Sequence, residues 1–421
     1  MRRFVTARKR EATVEASTAS GSPVTATTTA PNETIALATL LAALAALGQL
    51  AKNIFVPAMP GAAAALAVPP EAIQQTYAVI LAAFAMGQLV AGPIADRFGR
   101  RRVLQGGLAV FLIGTGISAL ASDLMYLTAG RAVQGLGAAA TMVSSRAITR
   151  DLFEGPALAR TLALVTIVFA LVPGFAPLAG GVITAAAGWQ GPLLATAVAA
   201  LVIWGAARRT FPETLTAPQP VRPNSVLKGY LSLLADPTYL RHVSVLAAAF
   251  AAMSVFFAAS PQLFMAHLGV GLAEYGLYPP LAVTGFIIGG IVLRRRAGRD
   301  APDHLISVGL GLMLLSATAM TAAMIGGFVH KHVYTIGMIG LVSGLGIVIP
   351  TAMARALDGH PDRAGSAAAL QGALQLGAGA IAVVFVSSWQ TAAPILAMPL
   401  TMLSAVALAM ALWLIQGGRE G

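Results

Sequence analysis

Two basic side chains fall where a chain this apolar has little room for them. Lys52 and Arg131 lie inside long hydrophobic runs. Each costs roughly 2.5–3.5 kcal/mol at the centre of a membrane helix, and less toward the interface. Gln49, Lys52 and Asn53 are spaced i, i+3, i+4, so two amides and a cation share one helix face. Gln134 follows Arg131 by three residues, which puts them on one face as well. Such a set is suited to binding an anionic or polar group, or to handling a proton, and not to nucleophilic chemistry. All 16 acidic residues can be assigned to tails, loops or helix ends, with Glu71, Asp123 and Glu274 at one edge and the others on the opposite side. No carboxylate is left for a membrane interior.

Other chemistries are excluded or weak. Cysteine is absent, which removes disulfides, thiol catalysis and thiolate metal sites. His330-Lys331-His332 brings two imidazoles together without carboxylates, a poor metal site. Gly135-x-Gly137 resembles part of a dinucleotide fingerprint, but no strand precedes it. No nucleophile–base pair can be assembled, so neither an enzyme, a cofactor nor a metal is expected.

The elements that must position these residues follow from composition. Of 421 residues 57% are hydrophobic and 10% charged, with a mean hydropathy of +0.78; soluble domains carry roughly 25% charge. Apolar stretches fall at 35–57, 73–95, 103–121, 124–148, 161–187 and 190–207, then at 241–264, 275–293, 305–327, 333–354, 366–387 and 392–416. They show no two-residue alternation and read as helices, giving an all-α membrane protein of twelve spans rather than a barrel. Residues 1–34 read as a disordered tail, 35–207 and 241–416 as two six-helix halves, 208–240 as a connector and 417–421 as a short tail. Of the 27 Lys and Arg, all but Lys52, Arg131 and Lys331 fall on one side of this arrangement. The positive-inside rule makes that side cytoplasmic, with both termini there, and explains the net charge of +11 without nucleic acid. Trp189, Trp204, Trp389 and Trp413 fall near span ends and read as interfacial anchors.

The halves repeat. Gly135-Leu136-Gly137 recurs as Gly344-Leu345-Gly346, Arg146-Ala147 as Arg355-Ala356, and Pro57 has a counterpart in Pro261. At the same offset the counterpart of Arg131 is Gly340, so that charge belongs to one half only. Pseudo-two-fold halves suggest a transporter with its site at their interface.

Loop 2–3 reads Gly92-Pro93-Ile94-Ala95-Asp96-Arg97-Phe98-Gly99-Arg100-Arg101-Arg102. A carboxylate at a helix end, a turn glycine and a cationic cluster can latch neighbouring helices together. The pattern resembles the signature loop of the major facilitator superfamily. Arg131-Ala132-Val133-Gln134-Gly135 resembles that superfamily's Arg-x-x-Gln-Gly motif, whose arginine is implicated in coupling. Pro173-Gly174-Phe175-Ala176-Pro177-Leu178-Ala179-Gly180-Gly181 resembles its antiporter motif. Pro and Gly there would bend span 5 and let a neighbour approach. Ile54 through Pro60, Arg150-Asp151-Leu152-Phe153, Ser260-Pro261 and Gly365 through Gln371 are similar to the Bcr/CflA drug-resistance subfamily of proton-coupled exporters.

The resemblance implies an inner-membrane exporter of small amphiphilic compounds, driven by protons and working by alternating access. Relatives often carry an aspartate as proton carrier where this chain has Asn53, and asparagine cannot titrate. Lys52 is the titratable group nearest that position. The alternative is an organic-anion or metabolite carrier, in which Lys52 and Arg131 receive an anionic group. Further candidates for the cavity wall are Tyr77 and Phe84 with Leu81 and Gln88 on one stripe of span 2, Ser260 ahead of Pro261, and Gln371 and Gln375 one turn apart in span 11. The expected partners are a small-molecule substrate, protons and lipid, for a chain acting as a monomer.

Overall fold

The computed structural model describes residues 31–215, 223–360 and 363–417. The first thirty residues, Arg222 and the four C-terminal residues lie outside this set. Twelve helices long enough to cross a membrane follow one another: α1 (Pro31–Asn53), α2 (Pro70–Phe98), α3 (Arg100–Ala119), α4 (Leu124–Leu152), α5 (Gly155–Ala187), α6 (Gly191–Thr210), α7 (Pro237–Pro261), α8 (Tyr278–Arg296), α9 (Pro302–Ile325), α10 (Lys331–Asp358), α11 (Ala364–Trp389) and α12 (Ala397–Gly417). The described residues form no named β-strand. Helix α1 is described from Pro31, so it takes in the last four residues of the stretch read as tail. Eleven of the spans are apolar enough to cross a membrane on composition alone. The twelfth, α4, carries Arg131, Arg146, Arg150 and Asp151 and is sandwiched between α2 and α3.

Close packing depends on bare helix faces. A Cβ at Gly114 would strike the Gln134 backbone, 2.7 Å from its Cα, and one at Gly135 would lie 2.7 Å from the Ile80 carbonyl oxygen. Two residues on a helix are about 200° apart, so Gly135 and Gly137 face opposite neighbours, α2 and α3. In the second half Gly344 meets α9 and Gly346 meets α8. The faces are exchanged relative to the first half, so the offset read from sequence preserves the use of the glycines but not their register. The place of a Gly340 Cβ is filled by Ser316 of α9.

The two prolines read as counterparts both end an α-helix. After Asn53 the chain passes through a 3₁₀ turn, Val56–Ala58, into a short helix, Met59–Ala65. After Pro261 it passes through a π turn, Gln262–His267. Proline has no N–H to donate to the carbonyl four residues back, so the helical ladder fails at both places.

The tryptophans depart in part from the expected belt. Trp413 is 3% and Trp189 7% exposed, so both are packed inside the protein. Trp413 is recruited to cover Arg241, whose guanidinium lies 3.8 Å above its ring. Trp204 and Trp389 are half-buried.

Gly114→Ala is expected to destabilise the protein by about 1–3 kcal/mol through overpacking, whereas Gly116→Ala, whose Cβ would meet nothing within 4 Å, leaves the melting temperature unchanged or higher. Thermal unfolding in detergent distinguishes the two.

Candidate functional site

The broken end of α1 organises the polar centre. Ala51 lies in the last turn of α1, where carbonyls lack partners in the helical ladder and carry the negative end of the helix dipole. Arg131 of α4 is fully buried and donates from Nη1 to the Ala51 carbonyl at 3.1 Å and to Gln134 Oε1 at 2.8 Å. Its guanidinium lies 5.0 Å from the Phe55 ring centroid. Gln134 Nε2 donates in turn to Thr115 Oγ1 of α3 at 2.8 Å, and Thr115 donates to the Phe111 carbonyl at 2.7 Å. Arg131 Nε and Nη2 have no hydrogen-bond partner among the described residues.

Lys52 is 2% exposed, and its Nζ lies 5.4 Å from the centroid of Phe250 of α7, in the other half. Asn53 donates to the Gln49 carbonyl at 2.7 Å, and its Oδ1 lies 3.5 Å from the Tyr77 hydroxyl. Gln49 is buried, and its Oε1 has no hydrogen-bond partner among the described residues. Among the described residues no ion pair joins Lys52 or Arg131 to a carboxylate. Backbone, amide and aromatic groups take that place.

Gln49, Lys52, Asn53, Tyr77, Arg131 and Gln134 are thus drawn around one helix end. The remaining cavity candidates make other contacts. Phe84 packs its ring on Gly48, where a Cβ would be 2.9 Å from Cζ, so it is a spacer between α1 and α2. Ser260 and Tyr275 share a hydrogen bond of 2.8 Å between their hydroxyls. Gln371 is buried with Oε1 unpartnered, and Gln375 is half-buried. Among the described residues no hydrogen bond ties Ser260, Gln371 or Gln375 to the Arg131 group. Sequence reasoning did not single out Thr115, Phe55, Phe250 or Tyr275. The available signal for Thr115 was its neighbour Gly114, which lets α3 touch α4 at Gln134.

The α2–α3 turn forms its latch with partners beyond the motif. Arg100 pairs with Asp96 one turn back, and its Nε lies 3.5 Å from Asp151 at the end of α4. The Arg100 N–H donates to Glu213 Oε1 at 2.8 Å, and Arg101 donates from Nη2 to the Arg208 carbonyl at 3.0 Å. Thr214 donates to Asp151 at 2.7 Å. Gly99 has φ +102°, and a Cβ there would meet the Glu213 carboxylate. Arg97 lies over the ring of Phe98, Arg102 is exposed, and Gly92 has only a Val143 methyl at 4.0 Å from where its Cβ would be. In α5, Gly180 approaches the Ile54 carbonyl of the α1 break, while Gly174 faces Val283 of α8 and Gly181 the Leu272 carbonyl. Pro177 is buried and Pro173 half-buried within that helix. These α5 glycines therefore touch both halves.

On the arginine-rich face a cavity of about 500 Å³ lies between the halves. Asp96, Arg100, Arg146 and Arg150 line it from one half, and Arg363 and Ser366 from the other. Tyr230, in the connector helix Pro223–Leu234, donates to the Leu89 carbonyl at 2.9 Å. Burial and the nearby Asp96 carboxylate push its phenol above the ordinary value, so it remains a donor. The opposite face is bridged. Gln74 donates to Gln262 at 2.7 Å, and Thr391 donates to Glu71.

The family model described as the Major Facilitator Superfamily matches residues 41–383. The chain is 28% identical over 344 residues to "Multidrug resistance protein D" of Escherichia coli, covering 82% of this chain and 86% of that one. It is 27% identical over 350 residues to the "Bicyclomycin resistance protein homolog" of Haemophilus influenzae, covering 82% and 87%. The fold is similar to that of a bacterial homologue of the lysosomal transporter Spinster, in an inward-facing and unoccupied conformation, with TM-score 0.72, 15% identity and coverage of 92% and 98%.

Thr115→Val leaves the Gln134 amide without its acceptor and is expected to cost about 1–3 kcal/mol of stability, while Thr115→Ser restores it. Comparing melting temperatures of the two variants checks this.

Proposed function

We infer the function from one premise: the chain belongs to the Major Facilitator Superfamily, whose members move small molecules across membranes. On that premise it is a secondary exporter of small amphiphilic compounds in a bacterial inner membrane, coupled to protons and working by alternating access. The observation that carries the reading is the cavity of about 500 Å³ between the halves on the arginine-rich face. The opposite face is bridged by Gln74–Gln262 and Glu71–Thr391 and leaves a smaller cavity of about 270 Å³ beside Gln74 and Gln262. The positive-inside rule places the arginine-rich face and both termini in the cytoplasm, so this is the conformation that loads from within. Substrate climbs from that cavity toward Gln49, Lys52, Asn53 and Arg131, with Tyr77 and Gln134 alongside. Opening the opposite face requires the two bridges to part and the cytoplasmic cavity to close on Asp96 and Arg100. The α5 glycines, touching both α1 and α8, let the halves rock without separating. The twelve helices complete the path within one chain, which acts as a monomer.

A second reading is favoured by one observation. Among the described residues Arg131 Nε and Nη2 have no hydrogen-bond partner, and no carboxylate pairs with Arg131 or with Lys52. An organic-anion or metabolite carrier would put a carboxylate or phosphate there, where a charged acceptor gains most.

Inverted membrane vesicles holding a pH gradient separate these readings when challenged in turn with ethidium, chloramphenicol and salicylate. Proton release on adding ethidium or chloramphenicol is expected for the exporter, and Arg131→Gln lowers it about tenfold or more, the loss of a charge-assisted contact of ~1.5–3 kcal/mol. Saturable salicylate flux with no proton movement would overturn the exporter and leave the anion carrier.

A further inference from the structure

The arginine-rich end of the second half buries a histidine that the transport reading leaves unused. His242 of α7 is 1% exposed and stands edge-on to Trp413 of α12, ring centroids 5.6 Å apart. Its Nδ1 lies 2.8 Å from the Thr238 carbonyl oxygen, which can only accept, so Nδ1 carries the hydrogen. In the neutral ring Nε2 is then a lone pair. It lies 3.8 Å from Asp303 Oδ1 at the start of α9, and neither atom has a hydrogen-bond partner among the described residues. Two acceptors facing each other in a buried place are reconciled by adding a proton.

The neighbouring charges give that proton somewhere to act. On α7, Arg241 Nη1 donates to Asp303 Oδ2 at 3.2 Å, leaving Oδ1 to others. On α10, Arg355 Nε is 3.9 Å from that same Oδ1, and its Nη1 is 3.8 Å from Asp358 Oδ2. On α12, Trp413 is neutral and donates to Ser307 at 2.8 Å. Helix α11 meets α7 through Ala367 and Leu370 against Tyr239 and Val243. Asp236, which caps α7, is held by the Thr238 and Tyr239 N–H groups, and His360 Nε2 lies 3.1 Å from it. His304, beside Asp303, is exposed. Asp303 Oδ1 therefore has two claimants, His242 and Arg355, and Arg355 has a second acceptor.

We propose that His242 and Asp303 form a proton-binding site. A proton from the solvent on the arginine-rich face adds to Nε2, and the new N–H donates to Asp303 Oδ1. Arg355 turns to Asp358. The site gains one positive charge, and no covalent bond breaks. Asp303 gives the proton its route, because it is 41% exposed where the imidazole is closed off. Protonation ties α7 to α9 and releases α10, so a change of pH on this face alters which helix ends are joined. The site lies away from the Arg131 group and stands whether or not the exporter reading holds.

The test uses the full-length protein in detergent. Exchange of the imidazole C2 hydrogen for deuterium, followed at His242 by mass spectrometry over about pH 5 to 9, is expected to follow a sigmoid. Asp303→Asn is expected to displace its midpoint. A flat exchange profile, which requires no variant, would overturn the proposal. So would an unmoved midpoint in Asp303→Asn.

Discussion

A guanidinium enclosed by apolar helices has to find oxygen or an aromatic face, because hydrocarbon gives it nothing to bond. Arg131 meets this demand with a carbonyl, an amide and a ring. Each partner sets a condition on the fold. The Ala51 carbonyl is usable because α1 ends two residues later, and Pro57 is why the ladder does not resume. Gln134 is held by Thr115, which requires α3 to lie against α4 at Gly114. Helix α1 must also approach closely, and Gly48 against Phe84 allows it. Much of the packing in the first half can be understood as the enclosure of one charge.

The second half buries its guanidinium, Arg241, at the start of α7 beside Asp303 and Trp413, and the halves differ accordingly. Ser316 fills the space beside Gly340, and by the spacing of Pro57 and Pro261 α7 presents Phe256 and Phe257 where α1 presents Lys52 and Asn53. Phe250 reaches the lysine from across the interface. One half supplies cations and amides, the other an aromatic surface. That combination suits ligands with both a polar group and a ring, since a π face attracts cations and packs on apolar matter alike.

Charge is concentrated where helices end. On the arginine-rich face Arg100 is shared between Asp96 and Asp151 in the first half, and Asp303 among Arg241, His242 and Arg355 in the second. Each joins the ends of several helices through one side chain, so motion of any of them is felt by the others. On the opposite face uncharged donors, Gln74 and Thr391, carry the bridges between halves. The Gln74–Gln262 bond is neutral, whereas Thr391 donates to the Glu71 carboxylate, a charge-assisted bond.

The sequence by itself determined the class of molecule, the helices and the family. These rest on composition, on runs of about twenty apolar residues, and on local motifs such as Asp96 through Arg102. It also marked Lys52 and Arg131 as exceptional, since a charge in an apolar run is visible without coordinates. Partners distant in the chain were not legible. Glu213 lies over a hundred residues from Arg100, and Thr115 nineteen from Gln134. Nothing in their local patterns names the other. Nor did the repeat of Gly135-x-Gly137 reveal that its faces are exchanged in the second half, because a two-residue spacing leaves a bare surface on either side of a helix. Likewise Trp413 reads as an anchor in a linear chain and becomes the cover of Arg241 once α12 packs on α7. Periodicity and composition are properties of segments, whereas the matching of a buried charge is a property of several segments together, and only the tertiary structure decides it.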